Sequence, residues 1–387
     1  MRDFTYYAPT EIIFGRDAEL KIAEAAKRHG GSRLLVVYGG QSAVKSGLLD
    51  RLCSVLSAKG LTYGLLGGVQ PNPRLGLVRE GIKIAIEMRA DMIIGAGGGS
   101  AIDTAKAIAH GAASPETDVW DFWLRKKPVE KTLPVGAVLT IPAAGSETSD
   151  SAVITNELTH EKRGLGTEYN RPVFAVMNPA LAATISGFQA ACGVVDILMH
   201  TLERYFCPQT GNALTDEFAE ALMRTVIRFG SCVVDNPADY EAMSEIMWCG
   251  SVSHSGITGL GGIKDFASHQ LGHELGAVFD KAHGATLSAV WGSWARYVME
   301  ENPARFEKYA KNVWGLSGAE DGIERTISFF RELGMPTSFT ELGIGVLSDS
   351  QLDELAYGCT YRRTRTIGSF KVLDYGDIRN IYAMANK

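Results

Sequence analysis

Through the first 178 residues, short apolar runs alternate with segments whose apolar positions recur every three or four residues. Arg33-Leu34-Leu35-Val36-Val37-Tyr38 is a continuous apolar run of strand length, closed by Gly39-Gly40. Runs at 61–66, 91–95 and 136–141 read the same way. Between them, 42–59 reads as a helix with Gly60 as its cap, and 75–89 carries Leu75, Val78, Ile82 and Ile86 at helical spacing. Residues 101–109 begin a further helix. Strands separated by helices of this length imply a parallel sheet with helices on both faces. From about Asn178 the period changes. Helical patterns dominate at 187–206, 213–234, 240–254, 265–279, 283–299, 304–314 and 321–333, and strand-like runs nearly vanish. The expectation is an α/β domain over 1–178 followed by an all-α domain over 179–387, with no internal repeat.

A chain of 387 residues exceeds what one core usually supports, which agrees with two domains. The formal net charge of -6 argues against a nucleic-acid partner, which needs a basic face to neutralise phosphates. The N-terminal MRDFTYYAPTEIIFG is too polar for a signal-peptide core, and no apolar run reaches the ~18 residues of a membrane span. The six cysteines include no CxxC pair, the pattern of reduced thiols rather than of a disulfide framework or zinc ribbon. A cytoplasmic protein with no membrane partner is expected.

Gly95-Ala96-Gly97-Gly98-Gly99-Ser100-Ala101-Ile102-Asp103 follows a predicted strand and opens a predicted helix. Glycines there permit positive φ and leave no Cβ in the way of a phosphate. The helix then aims free amides and its positive dipole end at that anion. Serine at position 100 departs from G-x-G-x-x-G, and a plain tight turn is the alternative reading. Where an NAD-selecting strand end often carries Asp or Glu, this chain has Gly39, Gly40, Gln41 and Ser42, with Lys45 one turn on. The missing carboxylate and the nearby cation suggest NADP(H) over NAD(H).

Of the eight histidines, four lie near suggestive partners in the second half. Asp196 and His200 stand four apart in an apolar helix and so share a face. A buried carboxylate needs a positive partner. That partner is a metal or His200 as an imidazolium, and backbone hydrogen bonds are the plainer alternative. His269 and His273 repeat the spacing, and His283-Gly284 opens the next predicted helix. Three imidazoles and a carboxylate suit iron(II) or zinc. Gln270 after His269 excludes the H-E-x-x-H of zinc proteases. His29, His110, His160 and His254 read as structural or surface residues.

The ordered set Phe14-Gly15 to Glu19-Leu20, Gly97-Gly98-Gly99-Ser100-Ala101-Ile102-Asp103-Thr104-Ala105-Lys106, Thr140-Ile141-Pro142 with Gly145-Ser146-Glu147, Gly193 to His200, His269-x-x-x-His273 and His283-Gly284 resembles the iron-containing (group III) alcohol dehydrogenases, most of all their NAD(P)H-dependent butanol dehydrogenase branch. The resemblance implies a dehydroquinate synthase-like fold, a dinucleotide-binding domain, a helical metal-binding domain and a homodimer. It implies hydride transfer between NADP(H) and a primary alcohol or aldehyde such as butanol or butanal. It places the metal on Asp196, His200, His269 and His283, and leaves His273 beside it to contact substrate or relay protons. It assigns cofactor contacts to Gly39, Gly40, Gln41, Asn72, Gly97, Gly98, Gly99, Ser100, Asp103, Thr140, Ser149 and Lys162. Many relatives read T-T-x-G-T-G-S-E where this chain has Thr140-Ile141-Pro142-Ala143-Ala144-Gly145-Ser146-Glu147, so hydroxyls are missing near the nicotinamide. A metal-dependent lyase on the same scaffold and a non-catalytic NADP(H)-binding or metal-storage protein are the competing readings.

Overall fold

The computed structural model describes every residue except Ala144 and His160, and omits the side chains of Gln41 and Ser42. Eight strands are present among the described residues: β1 (Glu11–Phe14), β2 (Arg33–Tyr38), β3 (Thr62–Leu66), β4 (Met92–Gly97), β5 (Val135–Leu139), β6 (Ser151–Asn156), β7 (Glu161–Gly166) and β8 (Phe174–Met177). Six of them form one wholly parallel sheet in the order β1-β8-β5-β4-β2-β3, and β6 and β7 pair as a separate antiparallel hairpin.

The inner strands β4, β5 and β8 are apolar throughout because both faces of the sheet are covered there. Successive side chains point to opposite faces. Leu35, Val37 and Ile93 pack with α4 (Leu75–Glu87), α5 (Gly99–Ala113) and α6 (Val119–Trp123). Leu34, Val36, Met92 and Ile94 pack with α1 (Ile22–Arg28) and α3 (Leu48–Ala58). The predicted helix 42–59 is two helices: α2 (Gln41–Lys45) ends early, and Gly47, at φ +68, turns the chain into α3. A left-handed glycine interrupts a pattern that apolar periodicity alone carries through.

The order of the strands positions the glycine loops. From β2 the chain moves outward to β3, then crosses back to β4 on the other side of β2. β2 and β4 are therefore neighbours, with Tyr38 opposite Ala96, and their connections leave in opposite directions. Ligands of open α/β sheets bind outside the carboxyl ends of strands at such a reversal. Gly39-Gly40 and Gly97-Gly98-Gly99 follow these two strand ends. α5 lies so close to β4 that a Cβ at Gly95 would sit 2.7 Å from the Ile102 Cα.

The chain divides into two compact units, Tyr7–Thr184 around the sheet and Ile185–Lys387 together with Met1–Tyr6. The Met1 amino group donates to Thr210 O at 2.8 Å, and the Arg2 amide to Gly261 O at 3.0 Å. The second unit is helical: α7 (Gly187–Tyr205), α8 (Ala213–Asp235), α9 (Tyr240–Ser255), α10 (Ala267–Phe279), α11 (His283–Val298), α12 (Pro303–Tyr309), α13 (Ala319–Glu332), α14 (Asp349–Cys359) and α15 (Tyr375–Ala385). α7 is its centre. Ser186 and Gln189 form a capping box at its start, and it is buried from Val194 to Tyr205 against α8, α9 and α11. Among the described residues, no helix is long and apolar enough to cross a membrane.

Candidate functional site

Three helices bring the acid and histidine cluster together. α7 supplies Asp196 and His200, α10 supplies His269, and α11 opens with His283. The Nε2 atoms of His200, His269 and His283 lie 3.4, 3.5 and 3.6 Å from one atom, Asp196 Oδ1. These separations exceed a normal hydrogen bond. They match instead the roughly 3.3–3.4 Å edges of a tetrahedron whose ligands stand ~2.0–2.1 Å from a first-row metal. Asp196, His200 and His269 are buried and offer ligand atoms that all lie within 4.8 Å of one another. Their side chains are 4–5% exposed, whereas that of His283 is 26% exposed, so the cluster opens on the His283 side.

The carboxylates and imidazoles of the cluster shift one another's protonation. Burial alone would depress the His269 imidazolium, but the Glu203 and Asp196 carboxylates outweigh it and raise its pKa to about 9. His200 is pushed well below the usual imidazole value, first by burial and then by its histidine neighbours. The His269 Nδ1 pairs with Glu203 Oε2, and the His269 amide donates to Glu203 Oε1 at 2.9 Å. With Nδ1 so engaged, the buried Nε2 is the ring nitrogen that faces Asp196, 3.5 Å from Oδ1 and beyond a normal hydrogen bond. Three imidazole nitrogens gathered around one carboxylate oxygen are a donor set that fits a divalent metal.

Local features of the sequence set these positions. A Cβ on Gly284 would lie 2.3 Å from Cys192 O and 2.6 Å from Cys192 Cα. Only glycine lets the first turn of α11 press on the α7 backbone, one turn before Asp196, and so deliver His283. At the start of α10, Phe266 is left-handed at φ +56. The buried Asp265 next to it accepts from the amides of Ala267, Ser369 and Phe370, and burial raises its pKa to about 6.

His273 stands one turn beyond His269. Its ring centroid is 5.1 Å from His283 and 6.0 Å from His269, beside the cluster. His254, expected to be structural or on the surface, is instead buried against the site, 4.1 Å from the His200 ring. It arrives from α9, a helix that nothing in the local pattern ties to α7. Glu203 was missed as well, although its place at i+7 from Asp196 puts it on the same helix face. His110 is structural as expected, bonded to Thr132 Oγ1 and Asn170 Oδ1. His29 pairs with Glu11, and His160 lies outside the described residues.

In the sheet unit, Gly98 precedes α5 and no side chain caps that helix. Gly97 is at φ +159, and a Cβ there would meet Ala101 at 2.8 Å. Gly39 and Gly40 leave β2 without crowding; a Cβ at Gly39 would meet only Val69 O, at 3.8 Å. The Gln41 side chain lies outside the described part of the structure. The Thr140 amide donates to Gly97 O at 3.0 Å, extending the β4–β5 pairing. Asn72 is left-handed at φ +57, and its Oδ1 accepts from Lys162 Nζ at 2.9 Å. Both Asp103 oxygens are engaged internally, one by Ser146 Oγ at 2.6 Å and the other by the Val153 amide at 2.8 Å. Ser149 Oγ donates to Ser151 O at 3.1 Å. Lys106 joins this group. It is wholly buried and donates to Ser146 Oγ at 2.9 Å and Ser151 O at 2.8 Å, and burial, opposed by Asp103, brings its pKa down to about 8. A lysine inside Ala105-Lys106-Ala107-Ile108-Ala109 was the sequence sign of a buried cation.

Residues 9–179 match the iron-containing alcohol dehydrogenase family, and residues 190–386 match the C-terminal part of the Fe-containing alcohol dehydrogenase family. The chain belongs to the iron-containing alcohol dehydrogenases. It is 36% identical to NADH-dependent butanol dehydrogenase A of Clostridium acetobutylicum, over 99% of both chains. It is 34% identical to the NADPH-dependent aldehyde reductase YqhD of Escherichia coli, over 89% of this chain and 90% of that one. Among solved structures, the NADH-dependent butanol dehydrogenase A of Thermotoga maritima superposes with a TM-score of 0.96 at 34% identity, over 100% of this chain and 99% of that one. This iron-containing alcohol dehydrogenase is thus an alcohol/aldehyde oxidoreductase with the two-domain fold of its family.

Proposed function

We propose that the protein interconverts primary alcohols such as butanol with their aldehydes, using NADP(H) and one divalent metal, iron(II) or zinc. The carrying observation is the convergence of three imidazole Nε2 atoms on Asp196 Oδ1 at 3.4–3.6 Å. Asp196, His200, His269 and His283 would hold the metal. When bound, the metal supplies Lewis-acid polarisation of the substrate oxygen. The chain does the rest. Burial of Asp196, His200 and His269 keeps water off three sides of the site. The partly exposed His283 marks the side from which substrate arrives. Alcohol oxidation sends a hydride from the carbinol carbon to the nicotinamide and releases the hydroxyl proton, and His273 is placed to pass that proton to solvent.

The cofactor diphosphate belongs on the α5 N-terminus, at Gly97, Gly98, Gly99 and Ser100. Gly39, Gly40 and Gln41 would flank the adenosine ribose. Asn72 with Lys162, and Thr140, Ser149 and Asp103 with Lys106, would shape the rest. The preference for NADP(H) rests on a β2 end without a carboxylate and on the exposed Lys45 of α2. Relatives named for NADH and for NADPH stand at similar identity, so the residues of this chain carry that choice.

The test follows absorbance at 340 nm with butanal after chelator treatment and re-addition of iron(II) or zinc. Metal-dependent oxidation of NADPH, with higher kcat/KM than for NADH, is expected. No turnover with either metal sinks the alcohol dehydrogenase mechanism. A clear NADH preference removes only the nucleotide assignment.

A further inference from the structure

The face of α7 that carries Asp196 and His200 carries a second acid one turn further on. Glu203 is completely buried. A carboxylate in that setting costs several kcal/mol unless it is paired. Its neighbour Arg204 is turned elsewhere, donating to His200 O at 2.7 Å with its guanidinium 5.1 Å from the Phe266 ring centre. Glu203 spends both oxygens on one residue: Oε1 accepts from the His269 amide at 2.9 Å, and Oε2 pairs with the His269 Nδ1.

We propose that Glu203 is a positioning residue for the metal, fixing His269 as the Nδ1–H tautomer with Nε2 aimed at Asp196. The proposal rests on the metal reading of the cluster. A ligand imidazole whose other nitrogen donates to a carboxylate is held in rotation and is a stronger donor to metal. α7 then serves the ion twice. Asp196 faces it directly, and Glu203 acts through a ring carried by α10.

A plain helix-to-helix clip would make the same amide contact, and the variant Glu203→Gln separates the two roles. Glutamine keeps one acceptor oxygen: with that oxygen on the His269 amide, its NH₂ faces Nδ1 and can only donate, so the clip survives while the Nδ1–H tautomer loses its acceptor. Zinc affinity, read by competition with a chromophoric chelator, should fall about 10–100-fold in Glu203→Gln, and the visible spectrum of the cobalt(II)-loaded protein should change. Equal zinc affinity and an unchanged cobalt spectrum would overturn the proposal. A parent protein that binds neither zinc nor iron(II) would remove the metal reading itself, and the proposal with it. A measurement on the parent protein stands independently of how the variant folds. In the zinc-loaded, ¹⁵N-histidine-labelled protein, the His269 ring, assigned by its loss in His269→Asn, should be protonated at Nδ1 with a strongly deshielded proton. A His269 protonated at Nε2 would overturn the assignment.

Discussion

At the scale of single residues, the cluster separates side chains that hold from side chains that assist. His269→Ala should abolish both bound metal and turnover, because it removes one of four convergent donors and leaves Glu203 buried without its partner. Metal analysis after dialysis, alongside the 340 nm assay, checks this; full activity in metal-free protein would reject the scheme. His273→Ala should keep the metal and alter the pH–rate profile, since its ring stands 5.1 Å from His283 and outside the convergent set. Loss of metal there would make His273 a ligand. In the sheet unit, Gly39→Asp meets no clash, because a Cβ would find only Val69 O at 3.8 Å and φ is not left-handed. A carboxylate at that strand end repels a 2′-phosphate and accepts from a 2′-hydroxyl. The ratio of kcat/KM for NADPH over NADH should fall at least about tenfold, equivalent to ~1.4 kcal/mol. An unchanged ratio would place the 2′ position elsewhere.

At the scale of elements, the close approach of α11 to α7 gives a sharp contrast. Gly284→Ala forces a Cβ into the Cys192 backbone, which has no flexible end to yield. Overpacking of this kind costs about 1–3 kcal/mol, and it displaces His283. Bound zinc and the melting temperature should both fall. Gly40→Ala, which meets nothing within 4 Å, should leave both unchanged. The same scale shows what the sequence made legible. The central strands were readable because burial on both faces makes them apolar throughout, and the Asp196–His200 pair because four residues is one helical turn. The four-residue β1 and β8 offer too few positions for a period, and β7 is the polar Glu161-Lys162-Arg163-Gly164-Leu165-Gly166, held by its partner β6 rather than by a core-facing pattern. The fusion of α2 and α3 into one predicted helix overlooked what Gly47 can do. His254 and Glu203 escaped for a different reason: their importance lies in which helix they touch, and spacing along one helix does not report that.

At the scale of the whole molecule, acid stability should depend on a residue far in sequence from the ligand set. His110 is buried between Thr132 and Asn170, and burial lowers its pKa to about 4. The folded chain therefore resists a proton that the unfolded chain accepts at about 6.5. The stability contributed by the neutral ring is fully present above that value and is lost as pH falls from about 6.5 to 4, up to ~3 kcal/mol at 1.36 kcal/mol per pKa unit. Urea midpoints across this range should fall more steeply for the parent than for His110→Gln; parallel slopes would sink the idea.

The pairing of β1 with β8 has a consequence for synthesis. Glu11 lies opposite Phe174, so the strand made first docks on the strand that completes the sheet. A nascent chain emerging at about 5–20 residues per second would carry Glu11-Ile12-Ile13-Phe14 without its partner for roughly 8–30 s. During that interval an apolar, edge-competent tetrapeptide is available to whatever meets it at the ribosome exit. Slow translation through the first unit should therefore cost soluble yield more than an equal delay placed after Met177.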